Sequence, residues 1–322
     1  MQVSQLEWLV TVGVTIAVLL FDVVVIARRP HEPSTRESAT ALAVYVSLAV
    51  AFGVWVWGFH GHRYGLEFFA GWITEYSLSV DNLFIFILIM ASFNVPRKYQ
   101  QEALMVGIVV ALVLRGVFIA AGAVAINQFS WVFYLFGAFL VYTAWRLAKD
   151  TEHDDDAENA VVRFARTYLN TTDQWHGLKL YVKNGAKRLM TPMFLVVLAL
   201  GTTDLIFALD SIPAIYGLTQ EPYLVFTANV FALMGLRQLY FLLGDLMQRL
   251  VYLSQGLAIV LGFIGVKLVL HALHENEVPF INGGEHVRVW EIPTLLSLAV
   301  IVVVLAVTAV VSLYKTRVID AD

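Results

Sequence analysis

The chain has 322 residues, of which 59% are hydrophobic and 14% charged, with a net charge of −4 and no cysteine. That composition is too apolar for a soluble globule. The missing cysteines exclude structural disulfides and any thiolate metal site.

Nine apolar runs are long enough to cross a hydrocarbon core of roughly 30 Å. They lie at about 7–27, 41–59, 66–93, 102–126, 130–148, 191–217, 222–243, 251–272 and 291–314. The first lacks a basic leader and is too long for a signal core, so it is expected to be retained as a span. Arg28 and Arg29 follow it directly and favour the cytoplasm for that end. With the N-terminus outside, fifteen of the 21 Lys and Arg residues fall in inner connections and only Arg63 and Arg288 in outer ones. That asymmetry predicts an N-out, C-in protein of the inner (plasma) membrane. The expected fold class is all-α: a polytopic membrane protein of about nine transmembrane helices.

The third span carries Glu75-Tyr-Ser-Leu-Ser-Val-Asp81-Asn82, and the sixth carries Asp204-Leu-Ile-Phe-Ala-Leu-Asp210-Ser211. In each, two carboxylates stand six positions apart and an oxygen-bearing side chain follows the second. Arg115 in the fourth span and Arg237 in the seventh extend the likeness. Arg146 and Lys267 hold comparable places in the fifth and eighth. Each unit has three helices, an odd number, so the second copy enters from the opposite side. An inverted 3+3 repeat with flanking helices is a transporter architecture, with its site where the copies meet. The expected organisation is 1–65 for the first two helices, 66–148 for the first repeat, 149–190 for a cytoplasmic loop, 191–272 for the inverted repeat, and 273–322 for an outer loop and last helix.

Charges at bilayer depth cost about 2.5–3.5 kcal/mol each, so six would cost on the order of 15–20 kcal/mol uncompensated. Seven-residue spacing places Asp204 and Ser211 on one helix face, and Glu75, Ser79 and Asn82 on another. Carboxylates six apart differ by about 120° and about 9 Å of rise. They meet one ion only where the helix unwinds, and otherwise line successive positions along a path. Pro213 frees the carbonyl of Leu209 and offers a means of unwinding beside Asp210. Carboxylate, amide, hydroxyl and carbonyl donors suit hard ions such as manganese, calcium or magnesium. No histidine lies mid-span. Four acids and two arginines leave about −2, which one divalent ion or two protons would neutralise. The bland alternative is that Arg115 and Arg237 simply pair with the acids.

Weaker candidates are read as solvated surface: His60 and His62, the outer group His271, His274, Glu275, Glu277, Glu285 and His286, and the inner acidic run Glu152–Glu158. The inner loop also predicts a basic-amphipathic segment around Val161–Leu169 and a small hairpin at Leu180–Gly185, where Asn-Gly marks a turn.

The stretch from Ser77 to Asn82 with Pro96 closing the helix resembles the TerC/Alx family of integral membrane proteins. So do Asp204-Leu-Ile-Phe-Ala-Leu-Asp210-Ser211-Ile-Pro213-Ala and Asn229-Val-Phe-Ala-Leu-Met-Gly-Leu-Arg237. The exit from Asp22 to Arg28-Arg29 is similar to that family as well. The resemblance implies manganese export and homeostasis, a historical link to tellurite resistance, and kinship with LysE-type exporters. Carried over, the metal site would be Glu75, Asp81, Asp204 and Asp210 with Asn82 and Ser211 beside them. Asp22, Arg115, Asn229 and Arg237 would serve support or coupling. The chain departs from many relatives at Gly201, where they have glutamate, and at Tyr76, where they have lysine.

The expectation is therefore a non-enzymatic, proton-coupled manganese exporter with no resident cofactor, whose partners are its ion, protons and lipid. Alternatives are a LysE-type exporter of small cationic solutes and a non-transporting membrane scaffold in metal or tellurite stress. An intramembrane aspartyl protease fits poorly, because Gly201-Thr-Thr-Asp204 lacks the second glycine of its usual motif.

Overall fold

The computed structural model describes residues 1–28, 34–129, 131–149, 171–172, 174–175, 177, 179–184, 187–243, 250–276, 278 and 281–319. The acidic run 152–158 and the amphipathic segment 161–169 lie outside the described residues. Apolar segments in a solvent with no hydrogen-bonding capacity must satisfy their backbone internally, and here they do so as helices. Among the described residues these are α1 (Gln5–Arg28), α2 (Thr35–His60), α3 (His62–Ser92), α4 (Arg97–Gln128), α5 (Val132–Lys149), α6 (Pro192–Tyr216), α7 (Pro222–Leu243), α8 (Leu253–His274) and α9 (Thr294–Ile319). Seven are long and apolar enough to cross a membrane. The other two are α1, whose apolar part is described over Gln5–Val18, and α5, the shortest at 18 residues.

Local chemistry sets the ends. Ser34 caps α2 by accepting the Glu37 N–H, a side chain taking over an orphan donor. Gly61 turns the chain from α2 into α3 in one residue at φ 107°, a conformation that penalises any Cβ. Thr191 caps α6 and Pro192 occupies its first turn. The hairpin forms as β1 (Tyr181–Asn184) and β2 (Lys187–Met190), with Asn184 opposite Lys187. Asn184 is thus a strand end, and residues 185–186, with the glycine of the expected turn, lie outside the described residues.

The six helices α3–α8 make the centre. Helix α3 packs on α7, α4 on α6, and α5 on α8, with α3 also against α6 and α4 against α7. Chain direction can be read from the close approaches. Gly71 neighbours Ala228 and Gly235 neighbours Tyr76, so α3 and α7 run parallel. Gly107 meets Leu200 and Gly122 meets Tyr216, so α4 and α6 run parallel too. Gly137 abuts Val269 while Gly265 abuts Val141, so α5 and α8 are antiparallel, their backbones in close contact through the two glycines. Helix α2 packs beside α3 and α7, and α9 beside α8 and α3. Exposed apolar side chains such as Leu9, Phe21, Val113, Val310 and Tyr314 clothe the outside. A soluble monomer rarely exposes apolar surface on that scale.

Both acid-bearing helices are continuous. Helix α6 runs through Pro213 to Tyr216, and α3 passes unbroken from His62 to Ser92. The local unwinding that would let acids six apart share an ion is therefore absent from α3 and α6, and on α6 the two acids point to different neighbours.

Candidate functional site

Four of the central helices place polar side chains around one point in the apolar interior. Glu75 comes from α3, Arg115 from α4, Asp204 and Ser211 from α6, and Asn229 from α7, and each is no more than 2% exposed. The hub is Arg115. Its Nε donates to Asp204 Oδ2 at 3.0 Å and its Nη2 to Asp204 Oδ1 at 3.0 Å, the forked geometry that suits guanidinium to carboxylate. Its Nη1 donates to Asn229 Oδ1 at 3.0 Å and Ser211 Oγ at 3.3 Å, and pairs with Glu75. Asn229 is itself oriented, because its Nδ2 donates to the Val225 carbonyl at 2.9 Å and so turns Oδ1 towards the arginine.

Helical geometry explains the membership. Asp204 and Ser211 are seven apart and share a face, so both reach Arg115. Asp210 stands one residue before Ser211 and is rotated by about 100°. It lies half-buried and accepts a hydrogen bond from Thr143 Oγ1 of α5 at 3.1 Å. The structure thus assigns the two acids of α6 to different environments. Asn82 is buried on α3, and Arg237 is half-buried on α7. Asp81 belongs to α3, six residues beyond Glu75, and Asp22 to α1; their side chains lie outside the described ones.

Two carboxylates and one guanidinium leave this cluster at −1. The oxygen atoms that could hold a metal are turned to an organic cation instead. Among the described residues no group of three His, Cys, Asp or Glu converges as a metal site. Of the histidines described, His60 meets Glu7, His62 packs at a tilt against the Trp57 ring, His271 bridges Gln220 and Glu291, and His286 meets the His274 carbonyl.

The cluster is sealed from both ends. Towards the start of α3, Gly71, Ile215 and Ala228 close together; a Cβ on Gly71 would lie 3.4 Å from Ile215 and 3.6 Å from Ala228. Beyond that layer a cavity of about 340 Å³ opens at the ends of α3, α6, α8 and α9. Its walls include Glu67, which receives Arg63 Nε and Thr219 Oγ1 at 2.7 Å each, and Lys267. Towards the other end of α3, a fully buried apolar mass of Leu83, Phe86, Leu104, Ile108, Val196, Leu200 and Leu236 fills the bundle. Sequence reasoning passed over Glu67 and Thr143. The first was signalled by Arg63 four residues earlier on the same helix; the second carried no local signal.

Residues 60–319 match the family described as "Integral membrane protein TerC family". The chain belongs to this family. The match begins at the end of α2 and takes in every residue of the Arg115 cluster. Among its relatives, a Mycobacterium tuberculosis membrane protein named as uncharacterized is 47% identical over 322 residues, 98% of this chain and 81% of its own. The Photorhabdus laumondii protein Alx, whose name describes a membrane-bound redox modulator, is 32% identical over 93% of this chain and 92% of its own. The chloroplast thylakoid membrane protein TERC of Arabidopsis thaliana is 39% identical over 74% of this chain and 63% of its own. No solved structure matches the chain.

Proposed function

We propose that this TerC family protein is a carrier that exports a hard divalent cation, manganese foremost, from the cytoplasm across the plasma membrane. It acts without a resident cofactor and performs no catalysis. The observation that carries this reading is a cation site in a sealed interior: oxygens from Glu75, Asp204, Ser211 and Asn229 converge from three helices on a single positive group. Buried carboxylates at membrane depth are costly, and in membrane proteins they mark ion paths and proton relays. Glu75, Asp204, Ser211 and Asn229 would form one station for the ion. Asp210, with Thr143, would form a second on the same helix. The same carboxylates can hold protons when the metal has left, which couples export to proton entry. The parallel pairs α3/α7 and α4/α6 and the antiparallel pair α5/α8 agree with two inverted three-helix units able to rock about the site.

The test is flux. Purified protein in liposomes should move Mn²⁺ above the rate of protein-free vesicles, faster with an opposing proton gradient, and Asp204→Asn or Asp210→Asn should lower that rate at least about tenfold. Wild-type vesicles no leakier to Mn²⁺ than empty ones would end the proposal and favour a scaffold role.

One observation favours a second reading, export of a small cationic solute. The group held by Asp204 is a guanidinium, gripped through two parallel hydrogen bonds. Competition by arginine or guanidinium compounds, with none by manganese, would select it. A thiol-based redox role finds no support in a chain without cysteine.

A further inference from the structure

We infer that Arg115 is the site's built-in counter-cation: it occupies the cargo's place when no ion is bound, and withdraws when one enters. The inference rests on the transport reading and concerns how that site is kept closed and emptied.

Three features lead to it. First, Arg115 uses the ligands an ion would use. Its Nε, Nη1 and Nη2 engage both oxygens of Asp204, the Asn229 amide oxygen, the Ser211 hydroxyl and the Glu75 carboxylate. Arg115 and Asp204 are each 1% exposed and Glu75 is 0% exposed, so an ion cannot sit beside the guanidinium; it must replace it. Second, the charge balance favours exchange. The two carboxylates hold one positive charge from Arg115, leaving −1, and a divalent ion in its stead leaves zero. Because arginine stays protonated in proteins, it vacates the site by moving, not by titrating. Third, α3 offers somewhere to move. Thr74 Oγ1, Ser79 Oγ and Glu75 Oε2 are buried with no hydrogen-bond partner among the described residues. Buried polar groups are ordinarily satisfied, and each exception needs a reason. Thr74 and Ser79 flank Glu75 one residue before it and one turn after it. A guanidinium swinging off both carboxylates would find, one turn further along α3, the Ser79 hydroxyl, an acceptor that now has no donor among the described residues. Its return would push the cargo out, so the empty site is never left as bare buried charge.

The test uses the purified full-length protein in nanodiscs, with Mn²⁺ alone as probe, in the wild type, Arg115→Lys and Arg115→Ala. Lysine keeps the charge and loses the fork, so Mn²⁺ affinity should rise about tenfold, the worth of one charge-assisted hydrogen bond. Alanine should raise it further. Turnover in liposomes should fall in both, because the returning arginine no longer expels the ion. In Arg115→Ala, millimolar guanidinium should compete with Mn²⁺ and raise thermal stability, and it should do neither in the wild type. Should the alanine variant need ligand to fold, the lysine variant carries the affinity test. Mn²⁺ binding to the wild type but equally or more weakly to both variants would overturn the inference and leave transport standing. No Mn²⁺ binding in any of the three, with no wild-type flux, would remove the transport reading itself.

Discussion

Replacing Asp204 with asparagine removes one charge and keeps the shape of the side chain, so it isolates what the carboxylate does for Arg115. In the wild type Asp204 accepts from Nε and Nη2, at 3.0 Å each. Hydrogen bonds to charged groups contribute about 1.5–3 kcal/mol. The asparagine carbonyl retains one of them, while its amide nitrogen sets a donor against a donor. Breaking a buried pair by removing one partner costs about 3–5 kcal/mol. Arg115 still keeps Glu75, Ser211 and Asn229, which places Asp204→Asn at the low end, about 3 kcal/mol. Reversible unfolding of the purified protein in mixed micelles measures this directly. Combining it with Arg115→Gln should recover about 2–3 kcal/mol relative to the sum of the single changes, since neither buried group is then left facing a lost partner. A loss below about 1 kcal/mol, or strict additivity in the double variant, would show that the two side chains do not meet in the membrane and would refute the geometry argued above.

Asp210→Asn should behave differently. Its described hydrogen bond is one from Thr143, so stability should fall by only about 1 kcal/mol, while Mn²⁺ flux falls as sharply as for Asp204→Asn; a destabilisation as large as that of Asp204→Asn would contradict the separation of the two acids. At the α5–α8 crossing, a Cβ on Gly265 would come within 3.0 Å of the Gly137 carbonyl, and one on Gly137 within 2.9 Å of the Gly265 carbonyl. Alanine at either position should cost about 1–3 kcal/mol. The pair should cost less than the sum, because the first methyl already parts the helices; micelle unfolding of the three variants reads both effects. Thr191→Ala removes both the cap of α6 and a hydrogen bond to the Lys179 carbonyl. It should lower stability by about 1 kcal/mol and speed amide exchange at Phe194, which hydrogen exchange followed by mass spectrometry can resolve.

The helices were legible in the sequence because the requirement is local: some twenty apolar residues in lipid have no other way to satisfy their backbone. The hairpin was local as well: expected at Leu180–Gly185, it forms with strands Tyr181–Asn184 and Lys187–Met190. The shared face of Asp204 and Ser211 follows from helical pitch alone. What each face looks at does not. In a membrane, lipid-facing and protein-facing surfaces are both apolar, so hydrophobic contrast cannot tell Leu209, 46% exposed, from Ala208, fully buried. Tertiary packing alone decided that Asp210 turns to Thr143, that Pro213 leaves α6 unbroken, and that Arg115 stands at the centre of the buried acids. The sequence read it as a supporting residue. Its ligands come from residues up to 114 positions away along the chain, and which of four crossing helices meet at one point is settled by their packing, not by the spacing within any one of them.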